Sequence, residues 1–163
     1  MEFTIKHSYP VSVDTAFKML TDEDYLQKKF ESTGATNIEI IKCEDEGGEF
    51  VIENKREIPS NPPGFAKKFI KARNKVVGKD VWDLSSKKAK KGIFELDIKG
   101  APIKLSGDLA LKPTKKGCDY IIDFKVKVGI PLIGGKIAKL VEADTRKNQE
   151  LDYEFTIEYL ESL

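Results

Sequence analysis

The chain has 163 residues, 40% of them hydrophobic and 34% charged, with a formal net charge of +1. That length suits one domain with a sizeable core, and the near-neutral balance gives no sign of a nucleic-acid partner. Cys43 and Cys118 have no CxxC or His-rich neighbourhood, which argues against zinc. Reduced thiols, no signal peptide and no membrane span predict a cytoplasmic protein.

Residues 2–9 alternate, with Phe3, Ile5, His7 and Tyr9 on one face, and read as a half-buried strand stopped by Pro10. Ser12 is placed to cap a short helix carrying Val13, Ala16, Phe17 and Leu20. Thr21 is placed to cap a second, whose apolar side is Tyr25, Leu26 and Phe30, with Gly34 closing it. Residues 38–44 form a strand, and Gly47-Gly48 turns the chain into 49–58. On that strand Phe50, Ile52, Asn54, Arg56 and Ile58 share a face.

Residues 59–72 break the pattern with Pro59, Pro62, Pro63 and Gly64, then carry Phe65, Phe69 and Ile70 among Lys67, Lys68 and Lys71. Further strands are predicted at 75–84, which contains Trp82, and after a lysine-rich turn at 93–98, 103–111 and 119–128. Leu105 and Leu109 share the inward phase of the first of the last two. Tyr120, Ile122 and Phe124 share that of the second.

From about Leu132 to Glu161, Ile133, Ile137, Leu140, Val141, Leu151, Phe155 and Tyr159 recur at helical spacing. About 30 residues at ~1.5 Å rise make roughly 40 Å of helix. So long a stripe needs a broad surface, and a curved sheet supplies one. Consecutive strands joined by short turns make that sheet antiparallel. Charge is uneven: residues 67–91 hold ten Lys/Arg against two Asp, and 142–161 hold seven Asp/Glu against two Lys/Arg.

This order, with the strings FTIKHSYPVSVDTAF, TDEDYL, VWDL, GAP, SGDLALKP, VGIPLIGGKIAKLVE and EYL, resembles the helix-grip fold of the START and pollen-allergen-like (SRPBCC) superfamily. Within it the chain is similar to an uncharacterised bacterial family of unknown function. The resemblance spans the whole chain and implies a single α+β domain over 1–163. Its seven-stranded curved antiparallel sheet would wrap around a long C-terminal helix, with two short helices after the first strand. It also implies a hydrophobic cavity between helix and sheet that binds or transports lipids, sterols or aromatic polyketides. Some superfamily members are cyclases or hydroxylase components, and others are chaperone co-factors.

Polar residues on inward positions are the informative ones, because apolar lining also satisfies a plain core. Arg56 beside Asn54 would suit a ligand carboxylate, or would pair with a helix acid, or would emerge at a strand end. Asp144 and Asn148 interrupt a line formed by Leu140, Leu151 and Phe155, so they either line a wet cavity or face solvent on a local twist. His7 stands alone, as a weak catalytic candidate or as a hydrogen-bonded core histidine. GIPLIGGK fails the phosphate-loop pattern, because Ile137 follows Lys136.

The expected ligand lining is therefore Phe50, Ile52, Asn54, Arg56, Trp82, Leu105, Leu109, Tyr120, Ile122, Phe124, Leu140, Asp144, Asn148 and Leu151. Phe65, Phe69 and Ile70 form a lid, or else a loop that merely caps the core. Lys67, Lys68 and Lys71 would touch an anionic membrane or remain solvated. No metal, cofactor or nucleic acid is expected. Binding of a small hydrophobic ligand leads. The alternatives are a cyclase or dehydratase using His7, Asp80 or Asp144 as acid and base, and a protein-interaction module of the chaperone-accessory kind.

Overall fold

In the computed structural model, which describes residues 1–163, the alternating segment forms β1 (Glu2–Tyr9), with Phe3, His7 and Tyr9 buried. Two short helices follow, α1 (Val13–Leu20) and α2 (Glu23–Ser32). Ser12 caps α1 by accepting the Thr15 N–H at 3.2 Å. Thr21 does not cap α2; Asp22 does, accepting the Tyr25 N–H at 2.9 Å, while the Thr21 hydroxyl donates back to the Phe17 carbonyl. A carboxylate also meets the positive end of the helix dipole, an advantage that a hydroxyl lacks.

The chain then runs β2 (Thr36–Asp45), β3 (Glu49–Pro59), β4 (Arg73–Asp83), β5 (Lys90–Ile98), β6 (Ile103–Thr114), β7 (Gly117–Val128) and α3 (Gly134–Glu161). One 3-10 turn, Gly64–Ala66, interrupts the segment between β3 and β4. The seven strands form a single sheet in the order β1-β7-β6-β5-β4-β3-β2, and every pair is antiparallel. The helical pair thus carries the chain from one edge strand to the other. β5 begins earlier than its sequence suggested, because Lys90 turns inward. Its Nζ donates to the Ser86 carbonyl at 2.7 Å and lies over the Phe17 ring.

The register lines residues up in rows across the inner face. One row runs Phe3, Phe124, Gly107, Phe94, Asp80, Ile52. Phe124 stacks on Phe3 with ring centroids 4.8 Å apart and meets Phe94 edge-on at 5.2 Å. Gly107 lies between the strands that carry Phe94 and Phe124 and leaves the two rings room. The next row ends in Gly92, Trp82 and Phe50. A Cβ on Gly92 would come within 3.2 Å of the indole, so the glycine makes space for Trp82.

Trp82, Leu109 and Phe124 are buried. Phe94, Leu140 and Phe155 are only half-buried. α3 lies against β7, β1 and α2, and it stands away from the middle of the sheet. That offset creates the cavity.

Candidate ligand cavity

A cavity of about 190 Å³ opens between the inner faces of β3 to β7 on one side and α2 with α3 on the other. Its origin is legible in α3. The helix is apolar where it touches the sheet near its start (Ile137, Ala138 and Val141) and where Phe155 and Tyr159 pack on Tyr25 of α2. Between these ends its inward row is Thr145, Asn148, Gln149 and Asp152, short or polar side chains that do not fill the space beneath the sheet.

Ten of the expected residues line this cavity: Ile52, Asn54, Arg56, Leu105, Leu109, Tyr120, Ile122, Phe124, Asp144 and Asn148. Four expected ones do not. Phe50 and Trp82 sit one row away, under α1, where Phe17 packs edge-on against both at 6.4 and 5.5 Å. Leu140 is half-buried beside the cavity, and Leu151 is 37% exposed. The inward row of the helix is rotated by about 100°, one residue, from the one that the leucines suggested. The apolar residues of α3 serve two partners, sheet and α2, so a single straight stripe misplaces the middle.

Of the expected lid, Ile70 is buried and lines the cavity, and Phe69 packs against the core. Phe65 is 48% exposed and does not line the cavity. Asp144 sits at the rim, where its Oδ2 accepts the Ser60 hydroxyl at 2.9 Å and ties the loop to α3.

The cavity has two unlike walls. Phe94, Leu96, Leu105, Leu109, Ile122 and Phe124 make one apolar side. Asn54, Arg56 and Asp80 on β3 and β4, with Lys29 and Asp152 on the helices, make the other polar. Arg56 stacks over the Phe30 ring, with its guanidinium carbon 4.1 Å from the centroid. One Nη donates to Asn54 Oδ1. Gly78, opposite Asn54 in the register, leaves that amide its room: a Cβ there would lie 3.0 Å from Nδ2. No carboxylate lies within ion-pair distance of Arg56. Burial lowers its pKa to about 10, against the opposing pull of Asp80 and Asp152, so it stays cationic at neutral pH.

Asp80 is the one acid in the aromatic row, and it accepts no hydrogen bond from the protein. Burial raises its pKa, opposed by Lys29 and Arg56. Tyr120 likewise has no protein partner for its hydroxyl, and burial, then Asp80, hold its proton on. By contrast Lys29 and Asp152 satisfy each other, with Nζ to Oδ2 at 3.7 Å and both side chains largely covered. The Tyr25 hydroxyl donates to Thr156 Oγ1 at 2.7 Å, and Thr156 in turn donates to the Asp152 carbonyl at 2.8 Å. This second cluster holds α2 to α3.

Lys29, Gln149, Asp152 and Thr145 were not singled out from the sequence. The run of Thr145, Asn148, Gln149, Asp152 and Thr156 along one helical face is the signal that finds three of the four. His7 is a satisfied histidine, bonded through Nε2 to Gln149 Oε1 at 3.0 Å and stacked on Tyr153. No three His, Cys, Asp or Glu side chains converge as a metal site requires.

Comparison with known proteins places this architecture. The model of the family described as "Protein of unknown function (DUF2505)" matches residues 4–160. Similar solved structures include TTHA0849 from Thermus thermophilus, 14% identical over 94% of this chain and 92% of that one, with a TM-score of 0.66. Ara h 8.0201 is 15% identical over 100% and 99% of the two chains, with a TM-score of 0.65. A protein from Rhodobacter sphaeroides is 15% identical over 99% and 93%, with a TM-score of 0.64. At these identities the likeness is one of fold, the helix-grip fold of the START and pollen-allergen-like superfamily. No curated protein matches the sequence.

Proposed function

The chain belongs to the DUF2505 family, and for this member we propose that the cavity binds, and by exchange transports, a small hydrophobic ligand of lipid, sterol or aromatic type. The observation that carries this reading is the apolar wall from Phe94 to Phe124, which faces about 190 Å³ of unfilled space and not a packed helix. An unfilled apolar cavity costs stability, so a fold that retains one through polar residues on α3 has a use for it. A helix with leucines at 145, 148 and 152 would have closed it. The superfamily's use of such cavities supports the same reading.

The cavity also weighs against a pure interaction module, whose core would be filled. Two unpaired thiols, Cys43 and Cys118, fit a reducing, cytoplasmic setting. No helix is long and apolar enough to cross a membrane.

Native mass spectrometry of the purified protein is expected to show a co-purified ligand, or an adduct after incubation with a fatty acid, a sterol or a flavonoid. If none of the three binds, the binding reading falls and the interaction module replaces it.

A further inference from the structure

We infer that the ligand is an amphipathic monocarboxylic acid whose carboxylate docks on Arg56 and Asn54 while its apolar body lies along the β5 to β7 wall. The inference rests on the binding reading above and names its ligand class. Three observations carry it. First, Arg56 uses only one N–H on the protein, to Asn54, and stacks on Phe30, so its remaining donors face the cavity in a fixed plane. Second, Asn54 accepts through Oδ1, and its Nδ2, on the Gly78 side of the amide, has no protein acceptor and remains a free donor in the lining. Third, the other cation of the lining, Lys29, is already neutralised by Asp152 at 3.7 Å.

A buried guanidinium without a counter-ion is destabilising, and a carboxylate that accepts two parallel N–H bonds offsets it. Arg56 also lies nearer the rim than the aromatic row. In the register its row holds Val76, Ile98 and Ile103, and the cavity there meets Ile58, Pro59 and Ser60. A tail entering first would reach Phe94 and Phe124 with the head stopped at Arg56. The opposing charge is Asp80. It lies opposite Ile52, two inward rows along β3 from Arg56 and further from the rim.

The test compares dodecanoate, its methyl ester and dodecylamine on the wild-type protein, on Arg56→Met and on Arg56→Lys by displacement of one fluorescent probe. Wild type should prefer the acid over the ester by about tenfold or more, and Arg56→Met should erase that preference while holding the ester within about twofold. Arg56→Lys should keep part of the preference, since a point charge remains without the planar fork. Equal affinity of acid and ester for the wild type overturns the inference and leaves the binding reading intact. Tighter binding of the amine also overturns it and assigns the anchor to Asp80. Failure of all three compounds to displace the probe also overturns the inference, and the sterol and flavonoid measurements above then decide the binding reading. The wild-type comparison needs no variant, so misfolding of either mutant does not spare the inference.

A separate observation carries a second proposal, that the end of the molecule around Leu132 docks on an anionic lipid surface. Leu132 is fully exposed and holds φ at 68°, a left-handed conformation that a bulky residue rarely adopts. Four residues on, Lys136 lies 5.9 Å from the ring of Phe65, itself 48% exposed. Lys67, Lys68 and Lys71, which follow Phe65 in the chain, and Lys136 are all exposed. Exposed apolar side chains with lysines near them in the chain complement an anionic bilayer, where the side chains enter the interface and the ammonium groups meet headgroups.

In co-sedimentation, the protein should bind vesicles containing phosphatidylserine and not pure phosphatidylcholine. Leu132→Asn, which suits the left-handed backbone, should lower the bound fraction several-fold without loss of fold. Binding that is indifferent to Leu132→Asn, or equal on both vesicles, overturns the proposal. A concentration-dependent dimer abolished by Leu132→Asn would overturn it too, giving the patch to a second copy of the chain.

Discussion

Gly107→Ala is expected to destabilise the fold by at least about 3 kcal/mol, more than an ordinary glycine substitution in a strand. The reason is contact, not backbone freedom. A Cβ built on Gly107 would collide with the Asp123 carbonyl oxygen and lie 3.0 Å from the Phe94 ring. The first of these atoms is backbone in the neighbouring strand β7, so it moves only if the β6–β7 ladder parts. The curvature of the sheet and the meeting of Phe94 with Phe124 both depend on this residue having no side chain. Urea melts of the two proteins give the difference directly. A loss below about 1 kcal/mol would mean that β6 and β7 shift apart at little cost, and that the aromatic row does not set the sheet's shape.

Phe124→Ala should cost about 3–5 kcal/mol, the usual range for deleting a buried aromatic side chain. Phe124 is 5% exposed, stacked on Phe3 and edge-on to Phe94, so its removal strips contacts from β1 and β5 at once. It also lines the cavity, and the variant should enlarge the site on its apolar side. Two readouts therefore move together: a lower urea midpoint, and a shift in preference toward bulkier hydrophobic probes. Stability within about 1 kcal/mol of wild type would show that the ring is not packed as described.

The polar wall follows a different logic from the core. Asp80 and the Tyr120 hydroxyl, half-buried at the cavity, have no hydrogen-bond partner in the protein and Arg56 has one, whereas Lys29 pairs with Asp152 and Tyr25 bonds to Thr156. The sign of the Asp80 shift makes the cost explicit. Its folded-state pKa lies above the usual carboxylate value, so the native state holds that proton more tightly than the unfolded chain. Its contribution is present below the unfolded pKa and is lost as pH rises through the folded one. Groups retained at a cost to stability mark places where function, not folding, selects the residue.

The order of elements, the antiparallel sheet and the long helix were legible in the sequence because each rests on local periodicity. Alternation along residues 2–9 and 119–128 and three-four spacing after Leu132 each need only one segment at a time. The inward phase of Ile52, Asn54 and Arg56 was legible for the same reason, since a strand's two faces are set by period two.

What the sequence left to tertiary structure was which inward residues meet. Phe50 and Trp82 share that inward face, but α1 comes down over them and seals their end. Leu140 and Leu151 belong to an apolar series, yet α3 divides its apolar contacts between the sheet and α2, and the rotation leaves Leu151 outside. Lys29 enters the site from a helix whose other lysine, Lys28, is solvated, because Asp152 from the far end of the chain stands opposite it. Pattern reports which face of an element is buried. Only packing between elements, fixed by side-chain volumes and by glycines such as Gly78, Gly92 and Gly107, decides against what.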